Sequence, residues 1–214
     1  MNTLVVISHP KPTSLTRAAA DRVLAGLART DQEVRVLDLD RMGFDPVLRL
    51  EEVRGHLGEP EDRPDLVEHL DALRWCDRLV LVYPTWFSGQ PAMLKGWFDR
   101  VWMHRVAFEL PDGSARIRGT LQRIRRIDVV TSHGSSRRVN LVQGNSGRLR
   151  VNRTLRILCA RTCITRWRAI YDIDNKDRAA IESWLDGLES AFSQPPRLVP
   201  ALRLPWPGGP RGGP

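Results

Sequence analysis

At 214 residues, with 42% hydrophobic and 27% charged residues, the chain is long enough to bury one substantial core and too apolar for a disordered polymer. The net charge of +8 raises a nucleic-acid reading. Of the 33 basic residues, however, only Lys11, Lys95 and Lys176 are lysines, and the arginines are spread along the chain, which describes a solvated basic surface better than a groove for a polyanion.

The first segment, Met1 to Ser8, has no basic leader and reads as a strand over Leu4 to Ser8 rather than as a signal peptide. Leu15, Ala19, Val23 and Leu27 then recur every fourth residue and predict a helix, followed by a strand over Glu33 to Asp38. Residues 41–64 form a polar excursion with Gly, Pro and acidic residues, predicting loop with some short helix. Leu66, Leu70 and Leu73 mark a helix leading into a strand over Arg78 to Val82. Met93, Leu94, Trp97, Phe98 and Val101 give the wide apolar stripe of a helix that starts near Pro91. Between His104 and Gly119, the turn signal Pro111-Asp112-Gly113-Ser114 is flanked by Val106 to Phe108 and Ala115 to Ile117, which predicts a small hairpin.

Strands over Arg126 to Thr131 and Thr165 to Tyr171 follow, with Cys159 and Cys163 falling where helix gives way to strand. These two and Cys76 are too few for a disulfide framework and lack metal spacing, so buried, reduced thiols and a cytoplasmic setting are expected, with no bound metal. The last helix carries Ile181, Trp184, Leu185, Leu188 and Phe192 on one face. From Gln194 onward lie seven of the fifteen prolines, so 1–193 is expected to be the folded domain and 194–214 an extended or disordered tail. No apolar run approaches membrane-spanning length.

Continuous apolar strands alternating with helices indicate an α/β chain with a parallel sheet covered on both faces. After the apolar run Leu79 to Val82, the loop Pro84-Thr-Trp-Phe-Ser88 places Trp86 and Phe87 at the carboxyl end of a strand, where a flat ring system can be laid. The block Pro84, Phe87, Pro91, Ala92, Leu94, Lys95, Gly96, Trp97, Asp99, Arg100 and Val101 resembles a segment of the flavodoxin-like NAD(P)H:quinone oxidoreductases. Relatives in that group include modulator-of-drug-activity proteins and potassium-efflux ancillary subunits. The resemblance covers about residues 3–190 and is strongest over 5–19 and 79–108. It implies a flavodoxin-like three-layer sandwich with a five-stranded parallel sheet in the order 2-1-3-4-5, a homodimer, and a flavin at the carboxyl end of the sheet.

Three loops would build that site. In Ser8-His9-Pro-Lys-Pro-Thr-Ser14, Ser14 or Thr13 can cap the following helix, whose free N–H groups and dipole favour an anion. A capped helix with a structural histidine would look the same from the residues alone. By the resemblance, His9, Ser14, Leu15 and Thr16 are contacts to the flavin phosphates. Pro84, Thr85, Trp86, Phe87 and Ser88 would meet the isoalloxazine through backbone N–H groups and an apolar wall, although aromatics at a strand end also serve ordinary cores. Lys95, Trp97, Asp99 and Arg100 are expected to serve helix packing and interface contacts. Thr131, Ser132, His133 and Gly134 correspond to the family's Thr-Thr-Gly-Gly at the pyrimidine edge. His133 departs from that pattern: it could donate to flavin O2 or stabilise the reduced flavin, or its ring could face solvent with only its backbone engaged.

A second departure concerns proton transfer. The Tyr and His that relay a proton in eukaryotic members have no counterpart near Arg137 to Asn140 or Asn145 to Gly147, aligned on Gln143-Gly144. His133 and Asn140 are the candidate catalytic residues in their place, and Arg137, Arg138 and Asn140 could instead contact a phosphate or substrate. The expected activity is ping-pong transfer of hydride from NAD(P)H through non-covalent FAD or FMN to a quinone or similar small acceptor. A regulatory subunit of a potassium-efflux-type partner, with little turnover, is the alternative. The chain has no Gly-x-Gly-x-x-Gly, P-loop or Gly-x-Ser-x-Gly motif, which disfavours a Rossmann dinucleotide site, a P-loop nucleotide site and a serine hydrolase.

Overall fold

The structure, a computed structural model, describes residues 1–54, 63–111 and 117–196. Its strands are β1 (Asn2–Ile7), β2 (Glu33–Asp38), β3 (Arg78–Pro84), β4 (Phe108–Glu109), β5 (Arg118–Gly119), β6 (Arg126–Ser132) and β7 (Ile164–Ile170). Its α-helices are α1 (Leu15–Leu27), α2 (Leu50–Arg54), α3 (Val67–Trp75), α4 (Ala92–Val101), α5 (Arg137–Val142), α6 (Ser146–Leu149) and α7 (Arg178–Phe192). Five strands pair in parallel in the order β2-β1-β3-β6-β7. With the small β4–β5 hairpin set aside, this is the expected order 2-1-3-4-5.

Alternation along the central strands divides the core into two halves. Leu4, Val6, Leu79, Leu81, Tyr83, Ile127 and Val129 point to the face covered by α3 and α4. Val5, Ile7, Val80, Val82 and Val130 point to the opposite face, beneath α1 and α7. Both faces are dry, which is why these strands read as unbroken apolar runs. Among the described residues, no helix is long and apolar enough to cross a membrane.

Two close contacts lock the helices. Gly96 on α4 lies where an added Cβ would stand 2.2 Å from the Pro46 carbonyl oxygen, so the post-β2 loop rests directly on the helix backbone. Arg100, one turn on, donates to Glu52 Oε1 (2.7 Å), to the Asp45 carbonyl (2.6 Å) and to Asp65 (2.5 Å), pinning that loop and α2 to α4. Trp97 is wholly buried, and Lys95 pairs with Asp99 on the outer side of the helix. Beneath α7, the fully buried Asp128 receives Arg78, Arg126 and Arg168, and Phe192 lies under the guanidinium groups of Arg78 and Arg168.

Expected boundaries shift by one or two residues. β1 starts at Asn2 and ends at Ile7, β7 spans Ile164–Ile170, and β3 and β6 run on to Pro84 and Ser132. The hairpin forms with strands at Phe108–Glu109 and Arg118–Gly119, the first overlapping its expected segment at Phe108 and the second just following its own, and residues 112–116 fall outside the described residues. The 41–64 excursion contains the short α2, as read. All three cysteines are free and buried. The tail expectation falls almost wholly outside the described residues, since only Gln194 to Pro196 of it are described.

Candidate functional site

The three loops leave the carboxyl ends of β1, β3 and β6, three adjacent strands, and therefore meet along one edge of the sheet. α1 covers one face and α3 the other, so chain direction diverges between β1 and β3 and leaves a crevice there.

In the first loop, Ser14 is the N-cap of α1 and its hydroxyl accepts from the Arg17 N–H at 3.2 Å. The Leu15 and Thr16 N–H groups precede any possible intrahelical acceptor and face out at the positive end of a 13-residue helix. The His9 ring accepts the Lys11 N–H at Nδ1 (3.0 Å), which leaves its proton on Nε2 as a donor. Burial pushes the His9 pKa below its ordinary value, aided by Arg17 and Lys11 and opposed by Asp40, so the neutral ring is favoured. Burial also raises the Asp40 pKa, against the His9 N–H and the charge of Arg17. The loop is held by Arg17, whose guanidinium binds the Asp38 carboxylate at the end of β2 and donates to the His9 carbonyl at 2.9 Å. Sequence reasoning missed this clasp, because Arg17 and Asp38 lie 21 residues apart with no local pattern linking them.

The second loop carries the most unusual backbone of the site. The Thr85 N–H donates to the Ser132 carbonyl (2.8 Å), extending the β3–β6 ladder past Pro84. Trp86 and Gly89 then exchange N–H···O bonds of 3.0 Å each, closing a two-residue hairpin turn. Its central residues are Phe87 (φ 45°) and Ser88 (φ 62°), both left-handed and neither a glycine. That is the geometry of a type I′ turn, which ordinarily demands Asn or Gly. Phe87 projects with a relative exposure of 106%, and Trp86 is exposed at 60%. Ser146 donates to the Ser88 carbonyl and Ser88 to Gln143, so the turn is tied to the α5–α6 segment. Behind it, Gln90 donates to the Gly147 carbonyl (3.2 Å) and accepts from Arg150 Nη1 (3.1 Å).

In the third loop, Thr131, Ser132 and His133 are buried and Gly134 is exposed. The His133 ring does not face solvent. It stacks on Tyr171 with centroids 4.5 Å apart and planes 19° from parallel, and its Nε2 lies 3.4 Å from Thr85 Oγ1, which in turn is 3.1 Å from Thr131 Oγ1. Its backbone N–H is taken by the Ile170 carbonyl at 2.9 Å, so the loop's backbone donor at this position is not free for a ligand. His133 Nδ1 is buried, with the Asn140 side chain beside the ring. Burial lowers the His133 pKa, and the neighbouring Asn140 offsets this only in part. Asn140 is 3% exposed and spends its amide N–H groups on Ser135 Oγ (2.8 Å) and the Ser135 and Ser136 carbonyls. It shapes the loop rather than reaching out from it.

A cleft of about 660 Å³ bounded by Phe44, Glu52, Asp65, His69 and Arg100 shares no lining residue with these loops. Its chief charges, Arg63 and Arg100 against Glu52 and Asp65, neutralise one another, so it lacks the open donors found at the sheet edge.

The sequence model of a family described as having a flavodoxin-like fold matches residues 1–150. The chain belongs to this family. This flavodoxin-like chain is 28% identical over 148 residues to NAD(P)H dehydrogenase (quinone) 1 of Cavia porcellus, covering 62% of this chain and 53% of that protein. It is 35% identical over 118 residues to an uncharacterized NAD(P)H oxidoreductase of Haemophilus influenzae, covering 54% and 57% respectively. It thus spans little more than half the length of these curated relatives. Among solved structures, the NAD(P)H:quinone oxidoreductase from Methanothermobacter marburgensis superposes with a TM-score of 0.74 at 26% identity, over 90% of this chain and 98% of that one.

Proposed function

We propose that this flavodoxin-like protein is an NAD(P)H-dependent oxidoreductase that works by ping-pong, passing hydride through a non-covalently held flavin, FAD or FMN, to a quinone or similar small acceptor. The observation that carries the reading is the Trp86–Gly89 turn. Two consecutive left-handed, non-glycine residues cost of order 1–3 kcal/mol each. Here they present a bare phenylalanine above the meeting of three loops. Strain kept for display of an aromatic ring serves a ligand rather than the core. The names and reach of the curated and solved relatives support the same activity.

The residues fit a flavin. The Leu15 and Thr16 N–H groups and the neutral His9 Nε2–H form a donor set for its phosphate end, and Arg17 fixes the loop that carries them. Trp86 and Phe87 provide the apolar wall, and the third loop, backed by the buried His133 ring, closes the opposite side. Bound flavin would supply the acceptor and donor of hydride. His133, whose lowered pKa favours the neutral ring, can accept a proton and pass it along the Nε2–Thr85–Thr131 hydroxyl chain, taking up a proton at one ring nitrogen as it gives one up at the other, a chain that would take over the work of the missing Tyr and His. Asn140 acts as a positioning residue, keeping Ser135 and Ser136 in place. Trp86, Phe87, Leu141 and Val142 stay exposed at 60–106% beside the site, which supports a homodimer in which a second copy completes the pocket.

The test is the visible spectrum of protein reconstituted with FAD and with FMN, before and after anaerobic NADH or NADPH and then a quinone. Bleaching followed by recovery is the expected result. Flavin that binds but stays oxidised would refute the reductase and favour a partner-binding subunit, and failure to bind either flavin would refute the site.

A further inference from the structure

Residues 129–171 contain nine arginines and not one aspartate or glutamate. Several arginines elsewhere are paired with acids: Arg17 with Asp38, Arg22 with Glu182, Asp186 and Glu189, and Arg63 and Arg100 with Glu52 and Asp65. Inside the stretch, Arg168 reaches back to Asp128, Arg150 is engaged by Gln90, and Arg156 by the Cys163 carbonyl. Arg137, Arg138 and Arg148 make no ion pair or hydrogen bond among the described residues, and all three are exposed.

These three are placed together by the fold. Arg137 and Arg138 open α5 directly behind the third loop, and Arg148 lies on α6, whose Ser146 is bonded to the Phe87 turn. They therefore stand at the same carboxyl edge of the sheet as the candidate site. Two acids border that loop: Asp174, whose Oδ2 lies beside Gly134, and Asp172, whose backbone N–H donates to the Ser135 carbonyl. An uncompensated group of guanidinium forks matches phosphate oxygens, and it does nothing for a neutral quinone.

We propose that Arg137, Arg138 and Arg148 form a phosphate-reading rim that makes NADPH, with its additional 2′-phosphate, the preferred electron donor over NADH. This rests on the oxidoreductase reading above and names the substrate of that site. One charge-assisted contact to the 2′-phosphate is worth about tenfold or more in affinity. Salt would erode it, since exposed charges are screened within about 10 Å at 0.1 M.

Two measurements test it. With flavin-free protein, calorimetric titration should show adenosine 2′,5′-bisphosphate binding about tenfold tighter than adenosine 5′-monophosphate, and R137Q/R138Q should erase that difference. With loaded enzyme, kcat/KM for NADPH should exceed that for NADH at low salt, and R137Q/R138Q should lower only the NADPH value. Arg161→Gln removes the same charge just before β7, at the opposite edge of the sheet, and should leave the donor ratio unchanged. Equal use of both donors, a preference for NADH, or an equal effect of Arg161→Gln overturns the rim while leaving the reductase standing. Flavin reduced by neither donor overturns both.

Discussion

Substituting Gly96 by alanine should destabilise the protein, although in an ordinary helix interior the same change gains about 1 kcal/mol. The reversal comes from the loop lying on α4. The new Cβ would stand 2.2 Å from the Pro46 carbonyl oxygen, 2.4 Å from its Cβ and 2.5 Å from its Cα. None of these is the free end of a flexible side chain, so the Asp45–Pro46 segment must retreat by about 1 Å to regain normal van der Waals separation. The retreat pulls on the 2.6 Å bond from Arg100 to the Asp45 carbonyl. Overpacking costs about 1–3 kcal/mol and weakening a charge-assisted hydrogen bond up to about 1.5–3 kcal/mol. Against the propensity gain of about 1 kcal/mol, the net loss is about 1.5–5 kcal/mol, a fall in Tm of roughly 3–20 °C for a domain this size. Urea denaturation followed by tryptophan fluorescence reads it directly. Gly187→Ala is the matched control: that glycine is exposed on α7 with nothing within 4 Å of an added Cβ, so the change should stabilise by about 1 kcal/mol. G96A as stable as the parent, or more so, would refute the close approach of loop and helix.

Two other substitutions probe the buried charges and the strained turn. Asp128→Asn leaves three arginines around a neutral amide and should cost about 3–5 kcal/mol in chemical denaturation. Burial raises the Asp128 pKa, but the Arg126 hydrogen bond and the charges of Arg78, Arg126 and Arg168 outweigh it and hold it below the usual carboxylate range. Its stabilisation is therefore present above the unfolded carboxylate pKa of about 3.9 and is lost as pH falls through the lower folded value. The acid limb of a stability–pH curve should accordingly be shallower in D128N than in the parent, and identical limbs would sink the assignment. Phe87→Gly should relieve the left-handed backbone and raise stability by about 1 kcal/mol while weakening flavin affinity measured by fluorescence quenching. A gain in both stability and affinity would show that the ring does not contact the ligand.

The sheet was legible because its three inner strands are buried on both faces and must be written largely in β-branched and aliphatic residues. Even β2, an edge strand with half its residues exposed, kept the apolar positions that mark its ends. Strand ends were less legible. β3 and β6 extend to Pro84 and Ser132 because they pair with each other there, which is tertiary information. The Phe87–Ser88 turn left no trace, since its residues are not those its backbone favours. Tyr171 was read as the end of a strand and proves to be the stacking partner of His133. The arginine cluster around Asp128 was hidden for a related reason: Arg78 and Arg126 open their strands, where an exposed polar residue is the ordinary expectation, and Arg168 joins them from β7, which is tertiary information. Arg137 and Arg138 were visible, but their lack of counter-charge was not, because pairing is set by neighbours distant in the chain.

The contact between α1 and α7 bears on how the molecule assembles during synthesis. Gly26 lies so near α7 that an added Cβ would meet the Glu189 carbonyl at 2.5 Å, and Arg22 reaches Glu182, Asp186 and Glu189. The half-core of Val5, Ile7, Val23, Leu27 and Val82 is closed by Leu185, Leu188 and Phe192. A growing chain that has emitted only its first 150 residues therefore carries that apolar face bare and lacks the edge strand β7, although the family signature is already complete. High contact order of this kind delays folding until the closing helix has left the ribosome, and exposes the nascent chain to chaperones for the interval.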